Sequence, residues 1–490
     1  MKKSIVFMLA LLLLSVMFII TSCNSNDAEV KNPVLDNGDN GLIDPDNAIS
    51  NEITKDSLPD GLDFNGMIIN LLIQGDSWKE SEFIAEDEIG EVVNDAIYNR
   101  NRSVEDRLNI KLNIISGPGW ENWSTMASQI KKSIMAGDYS YDLIAGWSAR
   151  APALAVEGLF MDLHELPYVE MSKPWWNQSM LSEMTIGGKL PFLAGDMTLS
   201  LIENCSVYYF NKTVHQEFAL PDLYQTVLDG KWTLDYAGSM IREISKDLNG
   251  DGKMDNKDLY GIALEPLNVA DGFMQSSDIK MTKYDDSGMP YLDAEKEKLS
   301  NLVDKIYNLY YDNPGTYNYS SGQWPFAMFK NNQILFMPYR LSGAVELRDM
   351  QSDYGIIPYP KYDETQEKYL SRIWDALSLM CVPMNCNKTE AVGACMEAMS
   401  SESYKTVTPA YFDIALKNKY TRDDVSSQML DMVREGAYLN FASIYNESIG
   451  SPWHCMRTLI SGKNKNFASW FEKNEVTITK KIDSIVEKLF

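Results

Sequence analysis

Twelve residues, "DLNGDGKMDNKD" from Asp247 to Asp258, carry the clearest chemistry in the chain. Oxygen-bearing side chains fall at steps 1, 3, 5, 9 and 12 (Asp247, Asn249, Asp251, Asp255 and Asp258), with Gly252 at step 6 and Lys253 at the backbone-carbonyl step 7. That is the ligand spacing of an EF-hand-type calcium loop, so these six residues are the expected ligands of a structural Ca2+. The stretch leads into "LYGIAL", which reads as a strand, so the second helix of an EF-hand is missing. A sensor works by changing the angle between two helices. The loop is therefore expected to act as a clamp, not a switch. The competing reading is an Asx-rich turn with no ion.

The aromatic content points to a different chemistry. The chain has 11 Trp and 26 Tyr. Trp78, Trp120, Trp147, Trp175, Trp176, Trp324, Trp374 and Trp453 all stand beside loop or turn signals. A pyranose ring has a face of C–H bonds and a rim of hydroxyls, so it suits a flat apolar surface ringed by polar groups. "RIWDAL" sets Trp374 beside Asp375, and "MPYRLSG" sets Tyr339 beside Arg340. Core packing competes for every Trp; Trp232 and Trp470 read as core residues, and Trp175–Trp176 fits either role. Catalytic signatures are scarce: GxSxG, HExxH and GxxxxGK[ST] do not occur. The three histidines, His164, His215 and His454, are far apart and supply neither a zinc set nor a Ser–His pair convincingly. The 69 carboxylates remain compatible with a two-carboxylate glycosidase.

The elements that must position these residues follow from pattern. Lys2 and Lys3, an apolar run from Ile5 to Ile20 and "ITSC" ending at Cys23 have the form of a secretory signal with a lipoprotein box. Residues 1–22 are expected to be the signal peptide, and Cys23 the site of lipidation (palmitate included). The run is shorter than the ~20 residues of a membrane span. Residues 23–63 are rich in Asn, Asp, Gly and Pro and poor in aromatics, as in a flexible tether. About 430 residues remain, enough for more than one core. A net charge of −25 disfavours nucleic acid as a partner. The five further cysteines are odd in number and lack a CxxC, which favours buried free thiols over a disulfide framework.

"GMIINLLIQGDSW" reads as a strand, residues 90–108 as a helix, "NIKLNII" as a strand, 123–135 as a helix and "YDLIAG" as a strand. That alternation predicts a parallel sheet with ligand-facing loops at its carboxyl ends: 75–78, the loop bearing Trp120, and 146–148. A second α/β region begins near residue 201. It runs through "SVYYFNKTVH", a helix capped by Thr233, "LYGIAL" and a strongly periodic helix bearing Leu299, Leu302, Val303, Ile306 and Leu309. "PFAMFKNNQILFMPYRLSGAVELRD" follows as helix, strand and helix, and the last ~100 residues read as mostly helical.

"YDLIAGWSARAPALAVEGLFMDL", "LIENCSVYYFNKTV" with "KWTLDYAGSMIREI", and "FAMFKNNQILFMPYRLSGAVELRD…YGIIPYPKYDE" occur in that order. Together they resemble the family 1 extracellular solute-binding proteins of ABC importers, relatives of maltose-binding protein, over about residues 64 to 490. One departure is Asn331 or Asn332 where the third block usually has a glycine. The resemblance implies an α/β, two-lobed periplasmic-binding-protein-like fold with hinge strands, and a ligand between the lobes. It places one lobe at 64–200 plus 323–370 and the other at 201–322 plus 371–490. It implies a monomeric, non-enzymatic carrier, lipid-anchored at the extracellular face of the bacterial cytoplasmic membrane, with ABC permease subunits as partners and a carbohydrate, an oligosaccharide, as ligand. Expected ligand contacts are Trp78, Glu82, Trp147, Tyr339 and Arg340 from the first lobe, Glu203 at the crossing, and Trp374, Asp375 and Trp453 from the second, with Trp324 beside them. The rivals are a surface glycoside hydrolase and a binding protein for a non-sugar solute.

Overall fold

The computed structural model describes residues 55–416 and 424–489. The first sheet is built from β1 (Met67–Gln74), β2 (Ile110–Gly117) and β3 (Leu143–Trp147), with β1 parallel to both neighbours. Between β1 and β2 runs α1 (Val92–Leu108), opened by the Glu91 carboxylate accepting from Asn94 N–H at 2.8 Å and closed by Asn109 at φ 47°. An acceptor at the start and a left-handed residue at the end satisfy orphan backbone groups at both termini. The helix α2 (Trp123–Ala136) links β2 to β3. Ile69, Leu71, Leu72 and Ile73 are consecutive or nearly so in β1 and all buried, as expected of a parallel strand covered on both faces.

The chain then crosses to a second sheet. Its strands are β4 (Ser206–Asn211), β5 (Ser245–Lys246), β6 (Leu259–Leu264), β7 (Thr316–Asn318), β8 (Ile334–Arg340) and β9 (Tyr354–Pro358). The order is β9-β4-β8-β6-β5, with β7 pairing β6. The helix α3 (Leu234–Arg242) packs on β6 and is capped as expected by Thr233, whose Oγ1 accepts from Tyr236 N–H at 3.3 Å. The helix α4 (Asn268–Ser276) follows β6, and α5 (Lys296–Tyr307) buries the predicted stripe of Leu299, Leu302, Val303 and Ile306.

The lobe boundaries expected from sequence need correction. Segment 323–370 belongs to the second lobe: β8 pairs with β4 (Phe336 opposite Phe210) and with β6 (Phe336 opposite Ile262), and β9 pairs with β4. After β10 (Ser371–Arg372) the chain returns, and β11 (Ser378–Cys381) adds to the first sheet antiparallel to β3, Ser378 opposite Trp147. The helix α6 (Thr389–Lys405) then packs on α1. Strands of the two lobes have the same apolar composition, so only pairing distinguishes them. Later segments return to the second lobe. The helix α7 (Asp424–Glu435) packs on β9, β12 (Ala437–Tyr438) pairs with β10, and α8 (Cys455–Ser461) packs on α4.

The expected tether is also shorter than 23–63. Leu58 is buried, and the Asp56 carboxylate accepts two hydrogen bonds from Arg107, each at 2.7 Å. Residues 55–63 thus belong to the folded body. The signal segment and Cys23 lie outside the described residues. Among the described residues no helix is long and apolar enough to cross a membrane. Cys205, Cys381, Cys386, Cys395 and Cys455 are free thiols.

Candidate functional site

The carboxyl ends of β1, β2 and β3 present three tryptophan-bearing loops. Gly75 lets the first two approach each other: a Cβ there would sit 2.3 Å from the Gly117 carbonyl oxygen. The Asp76 carboxylate then accepts from Trp120 N–H at 2.9 Å, which joins the loops. Trp78 and Trp120 stay 38% and 51% exposed. An indole kept this open on a pinned loop is a ready apolar platform. Trp147 ends β3, with Trp123 edge-on at 6.3 Å and the Arg150 guanidinium over its ring at 5.6 Å.

On the second lobe, β8 ends in Tyr339 and Arg340. The rings of Trp324, Tyr339 and Trp374 form a contiguous cluster, with centroids 4.7 Å (Trp324–Tyr339), 5.4 Å (Tyr339–Trp374) and 5.8 Å (Trp324–Trp374) apart. Arg340 covers Trp374 at 5.5 Å and donates to Asn204 Oδ1 at 3.1 Å. Trp374 Nε1–H donates to Ser206 Oγ at 3.0 Å. Trp324 is half-buried, whereas Tyr339 and Trp374 are nearly buried.

The returning chain ties the lobes together at Asp375. Its carbonyl oxygen accepts from Trp147 Nε1–H and from Ser148 Oγ–H, the latter at 2.9 Å, both on the first-lobe tip. Its carboxylate accepts from Arg372 at 2.9 Å and lies 3.7 Å from both His454 Nε2 and Arg457. Burial would raise this carboxyl, but Arg372, His454 and Arg457 hold it well below the usual carboxylate range. Arg457 in turn donates through Nε to buried Asp271 at 2.6 Å. A small pocket opens here, with a cavity volume of about 20 Å³ and with Ser148, Trp374, Asp375, Trp453 and His454 in its lining.

Eight of the ten expected contacts therefore stand at the strand ends or around this pocket: Trp78, Trp147, Trp324, Tyr339, Arg340, Trp374, Asp375 and Trp453. Tyr339 and Arg340 do so from the second lobe, not the first. Trp453 is buried, with only its pocket-side position exposing it to a ligand. Glu203, at the crossing, is partly exposed; burial, then the nearby charge of Glu82, push its carboxyl up to about 7 against Lys79 and Arg340. Glu82 needs correction. It is fully buried and paired with buried Lys79 at 2.9 Å, and it accepts from Ser200 N–H at 3.0 Å, Ser200 Oγ–H at 2.7 Å and Ser378 Oγ–H at 2.8 Å. A carboxylate with that many partners has no capacity left for a ligand. Trp175 and Trp176 are core residues, as is Trp232; Trp470 packs against the core from a partly exposed position. Arg372, Arg457, Gln275 and Asn446 escape a sequence reading. His454 does too, because a lone histidine gives no motif; the one available signal was its place in "WHCMR".

The loop 247–258 folds on itself. Asp247 accepts from Gly250 N–H at 2.6 Å and Gly252 N–H at 2.8 Å, Asn249 from Asp251 N–H at 2.8 Å, Asp251 from Lys253 N–H at 2.9 Å, and Asp258 from Leu248 and Asp255 N–H at 3.0 and 2.8 Å. Gly250 and Gly252 adopt φ 73° and 76°, which few other residues reach cheaply. Among the described residues no three His, Cys, Asp or Glu side chains group closely enough to hold a metal ion.

Two α/β lobes, a double crossing and aromatic loops at the strand ends define the periplasmic-binding-protein-like fold, and solved structures agree. The sugar-binding protein MalE of Xanthomonas citri superposes with a TM-score of 0.55 at 12% identity, over 86% of this chain and 97% of that one. The galacto-N-biose/lacto-N-biose I-binding protein of a Bifidobacterium longum ABC transporter, in complex with lacto-N-biose, gives 0.52 at 13% identity, over 86% and 98%. An ABC substrate-binding protein of Listeria monocytogenes in complex with cycloalternan gives 0.50 at 13% identity, over 86% and 99%. All three are binding proteins by name. No protein-family model and no curated protein matches the sequence.

Proposed function

We propose that this chain is the solute-binding component of an ABC importer, a member of the family 1 extracellular solute-binding proteins, that captures a carbohydrate between its lobes and hands it unaltered to a permease. The observation that carries the reading is that each lobe offers aromatic rings at its strand ends: the open indoles Trp78 and Trp120 on the first, and the contiguous Trp324–Tyr339–Trp374 cluster on the second. Aromatic platforms with charged and amide groups at their edges match the two surfaces of a sugar ring. Asp375, bonded to the β3 tip through its carbonyl and to second-lobe cations through its carboxylate, is placed to couple ligand binding to lobe closure. Lipid on Cys23 would hold the carrier, as a monomer, at the outer face of the cytoplasmic membrane near its permease. The loop 247–258 would hold a structural Ca2+, a role its ligand spacing supports.

A thermal-shift screen of the protein against mono- and oligosaccharides tests the carrier reading, because a ligand that prefers the native form raises its melting temperature. At least one oligosaccharide is expected to raise Tm in a concentration-dependent way. A panel with no shift, or one in which the sugar is cleaved during the assay, contradicts it.

A further inference from the structure

A larger cavity, of about 480 Å³, lies against the first crossing and shares no lining residue with the pocket at Asp375. The first lobe supplies Asn177 and Asp196 to its wall, the second lobe Arg434 and Ala437, and the crossing itself Leu201, Ile202 and Cys205. Residues 200–203 of that crossing form a short helical turn. Residues four apart share a helix face, so Leu201 and Cys205 turn together to the cavity. Ser200 and Asn204, on another face, have other partners: Ser200 Oγ–H donates to Glu82 at 2.7 Å, and Asn204 Oδ1 accepts from Arg340 at 3.1 Å. Arg340 in turn covers Trp374. The crossing therefore stands between the cavity and the aromatic cluster.

Polar contacts join the lobes at this cavity. Arg434 of α7 donates to the Asp196 carboxylate at 2.8 Å, and Asn177 Nδ2–H donates to the Ala437 carbonyl at 3.1 Å. Asp196 is buried in the first lobe, where its N–H donates to the Trp175 carbonyl at 2.9 Å. Arg434 reaches it from α7, which packs on β9 of the second lobe. The Arg434 guanidinium also lies over the ring of Tyr404, a residue of the first-lobe helix α6, at 4.8 Å. A guanidinium held by a ring and by a buried carboxylate is a stronger tie than an exposed ion pair. Rigid lobes that turn about a crossing approach on one side as they part on the other. Closing the cleft therefore stretches the contacts at the cavity. A contact made in one lobe arrangement and lost in the other shifts the balance between them.

We propose that the Asp196–Arg434 pair is a latch that opposes lobe closure, so that saccharide affinity is tuned from a place the saccharide does not touch. The latch follows from the two-lobed architecture, and its effect on affinity rests on the carrier reading. Spin labels at Pro174→Cys and Lys368→Cys, exposed residues of the two lobes at the cavity, report the spacing of its walls in the saccharide-free protein once half-buried Cys386 is replaced (Cys386→Ser). Calorimetric titration with the saccharide that raises Tm most reports the affinity. Arg434→Gln is expected to lengthen the spacing and to tighten binding by about fivefold, and Asp196→Asn to do the same. Arg434→Lys keeps the cation and is expected to restore both values, which a loss of packing alone would not allow. Removal of Arg434 leaves a tolerable core: burial already pushes the Asp196 carboxyl up to about 6 against that cation, so it can take up a proton when unpaired. Unchanged spacing in both variants, or an affinity that stays the same or falls, overturns the latch. No saccharide bound by the unmodified protein overturns the carrier reading instead, and the spacing still decides the latch.

Discussion

Two polar clusters lie at the meeting of the lobes, and they differ in how their atoms are satisfied. Around Lys79 and Glu82 every partner is protein: Lys79 Nζ reaches Glu82 at 2.9 Å and Ser378 Oγ at 2.6 Å, and Ser378 N–H donates to Ser200 Oγ at 3.0 Å. Around Trp453 and Asn446, equally buried donors have none. A closed network marks a place where the fold holds itself together. An open one marks a place where something else completes it.

The largest expected effect tests the closed side. Glu82→Ala leaves Lys79 buried without its counter-charge and should lower unfolding free energy by about 3–5 kcal/mol in a urea titration. A loss below about 1 kcal/mol would mean that Lys79 reaches water and that the cluster is not sealed. The aromatic cluster that adjoins the open side through Trp374 should respond in the opposite way. Trp324→Ala, at a half-buried ring, should weaken saccharide binding by about tenfold in a calorimetric titration, with a smaller effect on stability. Lost stability with unchanged affinity would move the Trp324 cluster to the structural side.

Glu203 stands close enough to the closed cluster to feel the charges of Glu82 and Lys79, and it sharpens the contrast through pH. Its folded-state pKa, pushed up to about 7, lies above that of an unfolded glutamate, so the folded state binds the extra proton between them. That contribution to stability is present at low pH and declines as pH rises from about 4.5 through 7. Glu203→Gln should therefore raise Tm by about 2 °C at pH 8 and by less at pH 5; equal shifts at both would contradict the assignment. Calcium is expected to act least on the site. Millimolar Ca2+ should raise Tm by about 2 °C, and a chelator should reverse it, with saccharide affinity nearly unchanged. Absence of any shift would leave loop 247–258 as a self-bonded turn.

Much of the fold is legible because period and propensity agree. The apolar runs of β1 and β3, the Leu299–Ile306 stripe and the Thr233 cap all form where pattern puts them. Lobe membership is not legible, because β8 and β11 are alike in composition and differ only in their pairing partners. The site divides in the same manner. Trp78 and Trp120 could be placed from loop signals at strand ends. Glu82 was misplaced because a carboxylate beside tryptophans fits a sugar site, while its true partner, Lys79, is three residues away on the same local turn. Arg372, Gln275 and Asn446 reach the pocket only through the crossing and through α4, which local pattern does not reveal.

The central claim is that the cleft binds a saccharide and performs no chemistry on it. Calorimetric titration with the best ligand from the screen, followed by chromatographic recovery of that ligand, tests this most directly. The account predicts one ligand per chain, recovered unchanged. Progressive appearance of shorter sugars, or a stoichiometry that survives replacement of both Trp324 and Trp374, would contradict it.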